Sequence, residues 1–151
     1  MTDGIPSGPV LFAYDGSELA KLAIEEAGRQ LTAGRDGLVL TVWQPFDVGF
    51  MPARVASFDA QNASAVRKAA EETAAEGAAL AQAAGFRSQA SQINASPAWK
   101  GIVDVADDRN ASLIVLGSHG RSGLTGVLLG SVAEAVAAHS RRSVLIVHRG
   151  A

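Results

Sequence analysis

The chain has 151 residues, 48% of them hydrophobic and 19% charged, with a formal net charge of −2 and no cysteine. That balance is ordinary for a folded globular domain, and the length is enough for one domain with a sizeable core. The charge gives no support to a nucleic-acid partner, and the missing cysteines exclude disulfides, thiolate metal sites and cysteine nucleophiles.

The elements are read in chain order. "PVLFAYD" (9–15) is an apolar run stopped by Asp and Gly, which predicts a buried strand. "SELAKLAIEEAGRQLTAG" (17–34) places Leu19, Leu22, Ala23, Ala27 and Leu31 near helical spacing, with Gly34 as its stop. "GLVLTVWQP" (37–45) is a second strand closed by Pro45. Residues 44–63 keep no period, and a connection of that length is often functional. Phe46, Phe50, Met51 and Phe58 within it either pack on the edge of the fold or form a lid. An Ala-rich helix follows over 63–85, then a thin, polar edge strand, "FRSQASQINA" (86–95). Residues 96–111 form a third helix with Trp99, Ile102, Val103 and Ala106 on one side. "SLIVLG" (112–117) is a strand, Ser131 to about Ser140 a helix, and "SVLIVH" (143–148) the last strand. Strands alternating with helices predict an α/β fold, one domain over 1–151, with a parallel sheet covered on both faces.

No apolar run reaches the roughly 20 residues needed to span a bilayer, and "MTDGIPSGPV" has neither a basic segment nor an apolar stretch. The expectation is a cytoplasmic protein with no membrane contact.

Ligands of doubly wound sheets bind beyond the carboxyl ends of the strands. Two segments lie there. "YDGSE" (14–18) follows the first strand, and "GSHGRSGLTGVLLGS" (117–131), with five glycines in fifteen positions, follows the fourth. A loop so rich in glycine needs unusual backbone angles or a close approach by something else. It opens a helix with Ser131-x-x-Glu134, a capping-box pattern. Amides at a helix N-terminus suit an anion such as phosphate. Two readings stand at this point: a phosphate site, or a tight turn with Ser131 as a plain N-cap. The G-x-G-x-x-G and G-x-x-x-x-G-K-[ST] patterns are both absent. Asp15 is either a ligand residue or the cap of the first helix, with Glu18 three residues on. His119, His139 and His148 have no metal-ligand spacing, Arg141 and Arg142 suit the C-terminus of the fourth helix, and Asp107 and Asp108 read as a solvated face.

Gly117-x2-Gly120-x9-Gly130-Ser131, together with "VLFAYDGSELA" (10–20) and "SVLIVH" (143–148), resembles the ATP-binding universal stress proteins. The resemblance covers almost the whole chain; Ser143 departs from it, where a proline is common. It implies a five-stranded parallel sheet of order 3-2-1-4-5, and a regulatory module that binds adenine nucleotide rather than a dedicated enzyme. On that resemblance Asp15 meets ribose or Mg²⁺, Val42 meets adenine through its backbone, and Ala13 lines the base pocket. Gly117 sits by the ribose, and Gly120, Gly130, Ser131 and the Val132 amide hold phosphates. Arg121 either pairs with phosphate or points to water. Two other readings are a slow ATPase and a nucleotide-free interaction dimer of the same fold. The strand at 144–147 (Val144, Leu145, Ile146, Val147) is apolar and forms an edge in that order. Such an edge is an aggregation hazard, and both this and the resemblance predict a homodimer through it.

Overall fold

A computed structural model describes residues 5–45, 60–120 and 129–150. The elements are β1 (Val10–Ala13), α1 (Glu18–Gln30), β2 (Asp36–Trp43), α2 (Ala60–Ala83), β3 (Arg87–Asn94), α3 (Ala98–Asp108), β4 (Leu113–Gly117), α4 (Ser131–His139) and β5 (Val144–Val147). Most of the segment expected between the second strand and second helix, including Phe46, Phe50, Met51 and Phe58, lies outside the described residues, as does Arg121. Among the described residues no helix is long and apolar enough to cross a membrane.

The five strands form one parallel sheet in the order β3-β2-β1-β4-β5. The inner strands are continuous apolar runs because both of their faces are covered. Successive side chains of a strand point to opposite faces, so the runs divide between two cores. Val10, Phe12, Val39 and Val115 pack with Ala23, Ile24 and Ala27 of α1 and Ala81 of α2. Leu11, Leu38, Leu40, Ile114 and Leu116 pack with Ile102 and Ala106 of α3 and Ala133 and Val136 of α4. Leu11 and Phe12 are 0% and 1% exposed, and burial of a side chain of that size stabilises by about 1.5–3 kcal/mol.

The two edges differ. β3 is mostly polar and none of its residues is fully buried, as suits the edge strand that its sequence predicted. β5 is apolar, with Val144, Leu145 and Ile146 half-buried and Val147 buried. Within the Ala-rich α2, Gly77 has a packing reason. A Cβ there would stand 2.7 Å from both Tyr14 Cδ2 and Val39 Cγ1, so only glycine lets α2 rest on these two side chains.

One expectation fails at the C-terminus of α4. Arg142 does not serve that helix end. Its guanidinium donates to Asp107 Oδ1 at 3.2 Å, Asn110 Oδ1 at 2.9 Å and the Ala111 carbonyl at 3.4 Å. These acceptors lie in the last turn of α3 and just after it, where the backbone reverses into β4 through Asn110 in the left-handed region (φ 51°). Asp107, read as part of a solvated face, is therefore half of an ion pair. At the end of α4 it is His139 that bonds back, with Nδ1 3.0 Å from the Ala135 carbonyl and its ring stacked on Trp99.

The sheet positions a site through its topology. From β1 the chain moves outward through β2 to β3, then returns to the other side of β1 for β4 and β5. β1 and β4 are thus neighbours whose following connections run to opposite sides, which opens a crevice at their carboxyl ends.

Candidate functional site

The β1–α1 turn forms one wall of the crevice. The Tyr14 N–H continues the ladder to the Leu40 carbonyl at 2.9 Å, and the buried Thr41 hydroxyl donates to the Tyr14 carbonyl. Gly16 takes φ +83°, a conformation that glycine adopts without steric cost. Ser17, not Asp15, caps α1, its Oγ accepting from the Ala20 N–H at 3.2 Å. Asp15 instead closes the turn two residues earlier, with Oδ1 accepting from the Ser17 N–H at 3.0 Å. The reading of Asp15 as the helix cap is thereby replaced.

The Tyr14 side chain reaches α2, where its hydroxyl donates to Glu76, a residue that also lies 3.9 Å from Lys21 Nζ. Burial, reinforced by the Glu76 hydrogen bond and the nearby negative charge, pushes the Tyr14 phenol well above its ordinary pKa. This pair fixes α2 to the turn that carries Asp15.

The loop after β4 forms the other wall. Ser118 is 2% exposed, and its backbone is held on both sides: its N–H donates to the Val147 carbonyl and its carbonyl accepts from the Gly130 N–H at 2.7 Å. The capping box expected at Ser131 and Glu134 is not formed. The Gly130 carbonyl accepts the first helical bond, from the Glu134 N–H at 2.9 Å, so Gly130 is the N-cap and Ser131 is already the first helical residue. Gly130 has no side chain to offer, so the cap residue itself makes no side-chain hydrogen bond to the first turn of α4.

Of the two reasons expected for the glycines of this loop, the described ones show close approach rather than unusual backbone angles. Gly117, Gly120 and Gly130 lie outside the left-handed region. Crowding by the chain itself accounts for them. A Cβ at Gly117 would stand 2.9 Å from Leu19 Cγ, at Gly120 2.7 Å from Asp15 Oδ2, and at Gly130 3.2 Å from the Ser118 carbonyl.

Between the walls lies a cleft of about 270 Å³. Its apolar end is made by Ala13, Leu40, Val42, Ala98, Ile102 and Leu116. Its polar residues include Asp15, Ser118, His119, Gly120, Gly130 and Ser131, and Gly117 and Val132 also border it. Every residue that the resemblance assigns to the nucleotide site borders this one cleft, apart from Arg121, which lies outside the described residues. Sequence reasoning missed Ala98, Ile102 and Ser118. Ile102 read as plain core because it sits on the apolar face of α3, and nothing in the pattern says that this face extends past the sheet edge.

Val42 brings polar backbone to the apolar end. Backbone groups of residues two apart on a strand point the same way. The Leu40 carbonyl faces β1, where it accepts from Tyr14. Val42 thus turns its N–H and carbonyl to the same side, beyond Ala13, where β1 has ended. The cleft thus brings apolar side chains and the Val42 backbone together with the first residues of α4. Among the described residues no cluster of three His, Asp or Glu side chains forms a metal cage. A cation at Asp15 would draw its other ligands from water and from the bound molecule.

Residues 7–148 match the family model of the universal stress protein family. A universal stress protein of Mycobacterium tuberculosis is 35% identical over 152 residues, which cover 93% of this chain and 45% of that one. The chain thus spans about half the length of these mycobacterial relatives. Universal stress protein MJ0577 of Methanocaldococcus jannaschii is 46% identical over 48 residues, 32% of this chain. The solved structure of MJ0577 superimposes with a TM-score of 0.76 at 25% identity, covering 97% of this chain and 99% of its own. A universal stress protein solved in complex with cAMP superimposes with a TM-score of 0.63 at 26% identity, covering 95% of this chain and 98% of its own. The fold, the cleft between β1 and β4 and these matches lead to one conclusion: the chain belongs to the universal stress protein family.

Proposed function

We propose that this chain is a single nucleotide-binding domain that takes ATP, with Mg²⁺, into the β1–β4 cleft and acts in the cytoplasm as a regulatory stress-response module rather than a dedicated enzyme. The observation that carries the reading is the N-terminus of α4. Its first turn borders the cleft, and its cap residue is a glycine with no side chain to bond the turn's amides. A helix start of this kind favours phosphate through its amides and its dipole. The cAMP complex of a structural neighbour is consistent with an adenine nucleotide as the ligand class.

The roles are those that the family resemblance implies, carried by residues of which all but Arg121, which lies outside the described residues, border the cleft. Adenine occupies the apolar slot against Ala13, with the Val42 N–H and carbonyl as its hydrogen-bonding partners. The ribose lies by Gly117. Gly120, Gly130, Ser131 and the Val132 amide take the phosphates, and Arg121 adds positive charge. Asp15 beside phosphates would repel them alone; Mg²⁺ between them converts that repulsion into a bridge. Mass spectrometry of small molecules released from the purified, denatured protein tests the ligand class. An adenine nucleotide is expected, and release of a ligand with no phosphate would overturn the reading.

The same proposal places a homodimer on β5. Pairing Val144–Val147 with the same strand of a second copy would satisfy its outer backbone groups and cover its half-buried side chains. Light scattering at micromolar protein is expected to give twice the chain mass; a single-chain mass would rule the dimer out.

A further inference from the structure

Thr41 breaks the apolar run of β2 between Leu40 and Val42, and it is 0% exposed. A hydroxyl buried in a core is costly unless it is hydrogen-bonded. This one donates to the Tyr14 carbonyl at 2.9 Å. Alternation along the strand places its side chain on the sheet face of Val39, whereas Val42 packs on the opposite face with the α3 and α4 core. Val42 borders the cleft, and Thr41 reaches it only through the backbone of its neighbours.

The Thr41 bond stands where a ladder bond is due. The Tyr14 N–H donates to the Leu40 carbonyl at 2.9 Å. In a parallel pair that continued, the Tyr14 carbonyl would next accept from the Val42 N–H. The pairing instead ends at Ala13 with Leu40, and among the described residues the Val42 N–H has no hydrogen-bond acceptor. Tyr14 is 3% exposed, and a buried carbonyl is left without a donor only at a cost. The Thr41 hydroxyl supplies that donor from the far face of the sheet, which relieves Val42 of the task.

We infer that Thr41 is a positioning residue that keeps the Val42 N–H out of the sheet ladder, so that this amide is available to a ring nitrogen of the base in the cleft. The inference rests on the nucleotide reading above and extends it to recognition of the base. Replacing the hydroxyl by a methyl group of the same shape, as in Thr41→Val, deprives the Tyr14 carbonyl of its donor. The nearest replacement along the ladder is the Val42 N–H. The β1–β2 pairing then lengthens by one bond and the base loses one.

The test combines amide hydrogen exchange by NMR on the ligand-free protein with calorimetric titration of adenosine and ATP, for the wild type, Thr41→Ser and Thr41→Val. In the ligand-free wild type the Val42 amide is expected to exchange at least tenfold faster than that of Leu40, and ATP slows it. In Thr41→Val it is slow without ligand, and adenosine and ATP both bind about tenfold more weakly, the effect of one hydrogen bond. Thr41→Ser retains the hydroxyl and behaves as the wild type in both measurements. A Val42 amide as protected as that of Leu40 in the ligand-free wild type overturns the inference without recourse to any variant. Unchanged exchange in Thr41→Val, or a Thr41→Ser protein that behaves as Thr41→Val does, also overturns it while nucleotide binding stands. A wild type that binds neither adenosine nor ATP overturns the nucleotide reading and the role toward the base with it, and the exchange rates without ligand report separately whether Thr41 holds the amide open.

Discussion

Asp15 and Gly120 meet across the cleft: a β carbon at position 120 would stand 2.7 Å from Asp15 Oδ2. The two residues come from different connections, the turn after β1 and the loop after β4. Their closeness leaves no room for a side chain at position 120. Glycine at 120 therefore makes room for a carboxylate of the protein itself, whatever it also does for a ligand.

Gly120→Ala is expected to displace the Asp15 carboxylate rather than unfold the chain, because the crowded atom is the end of a side chain. The thermal midpoint should shift by no more than about 1 kcal/mol of stability corresponds to, as for substitutions outside the core. ATP affinity should fall tenfold or more, roughly 1.4 kcal/mol. Calorimetry and thermal unfolding on the same sample check both, and undiminished ATP affinity would show that the carboxylate position does not matter to the ligand.

Asp15→Asn keeps the acceptor that closes the turn onto the Ser17 N–H and removes only the charge. If Asp15 acts through Mg²⁺, the substitution weakens ATP binding when Mg²⁺ is present. In EDTA the same substitution strengthens it, because a bare carboxylate repels phosphate. The measurement is a pair of titrations differing only in metal. The same effect in both would remove the metal from the account.

Tyr14 is the chain's single tyrosine, which makes its ionisation easy to follow by ultraviolet absorbance. Burial and the Glu76 hydrogen bond hold its folded-state pKa above the unfolded value of 10.0. Below that value both states keep the proton and this group adds no pH dependence. Above it the unfolded chain loses the proton first, so stability falls as pH rises toward the folded-state value. Tyr14→Phe is expected to cost about 1 kcal/mol near neutral pH through the lost hydrogen bond, and to flatten the alkaline decline. Native protein whose tyrosine ionises near the ordinary value would contradict the buried pair.

The elements were legible in the sequence because inner strands of a parallel sheet must be apolar on both faces, as "VLFA" and "LIVL" are, and because polar "RSQASQIN" suits only an edge. The positions bordering the cleft were legible through the spacing of Gly117, Gly120 and Gly130. What misled was local pattern without tertiary context. Ser131-x-x-Glu134 has the letters of a capping box, but Gly130 is pulled into the cap position by its bond to the Ser118 carbonyl, which shifts the helix start by one residue. Arg142 has the charge for a helix C-terminus, yet the acceptors after α3 lie within its reach. Ser118 left no trace at all, since a buried serine in a loop looks like any other until its partners are in place.

The shifted helix start supplies the most direct test of the central claim. Ser131 is exposed at the first position of α4, so Ser131→Asp can be accommodated there, and an acid at a helix N-terminus stabilises by about 0.3–1 kcal/mol. The same charge would occupy the place assigned to phosphate. Calorimetric titration of ATP and of adenosine into wild type and Ser131→Asp decides the matter. The account predicts an equal or higher thermal midpoint, unchanged adenosine affinity and an ATP affinity more than tenfold lower, beyond roughly 1.4 kcal/mol. A folded Ser131→Asp protein that binds ATP as tightly as the wild type would contradict phosphate binding at the start of α4.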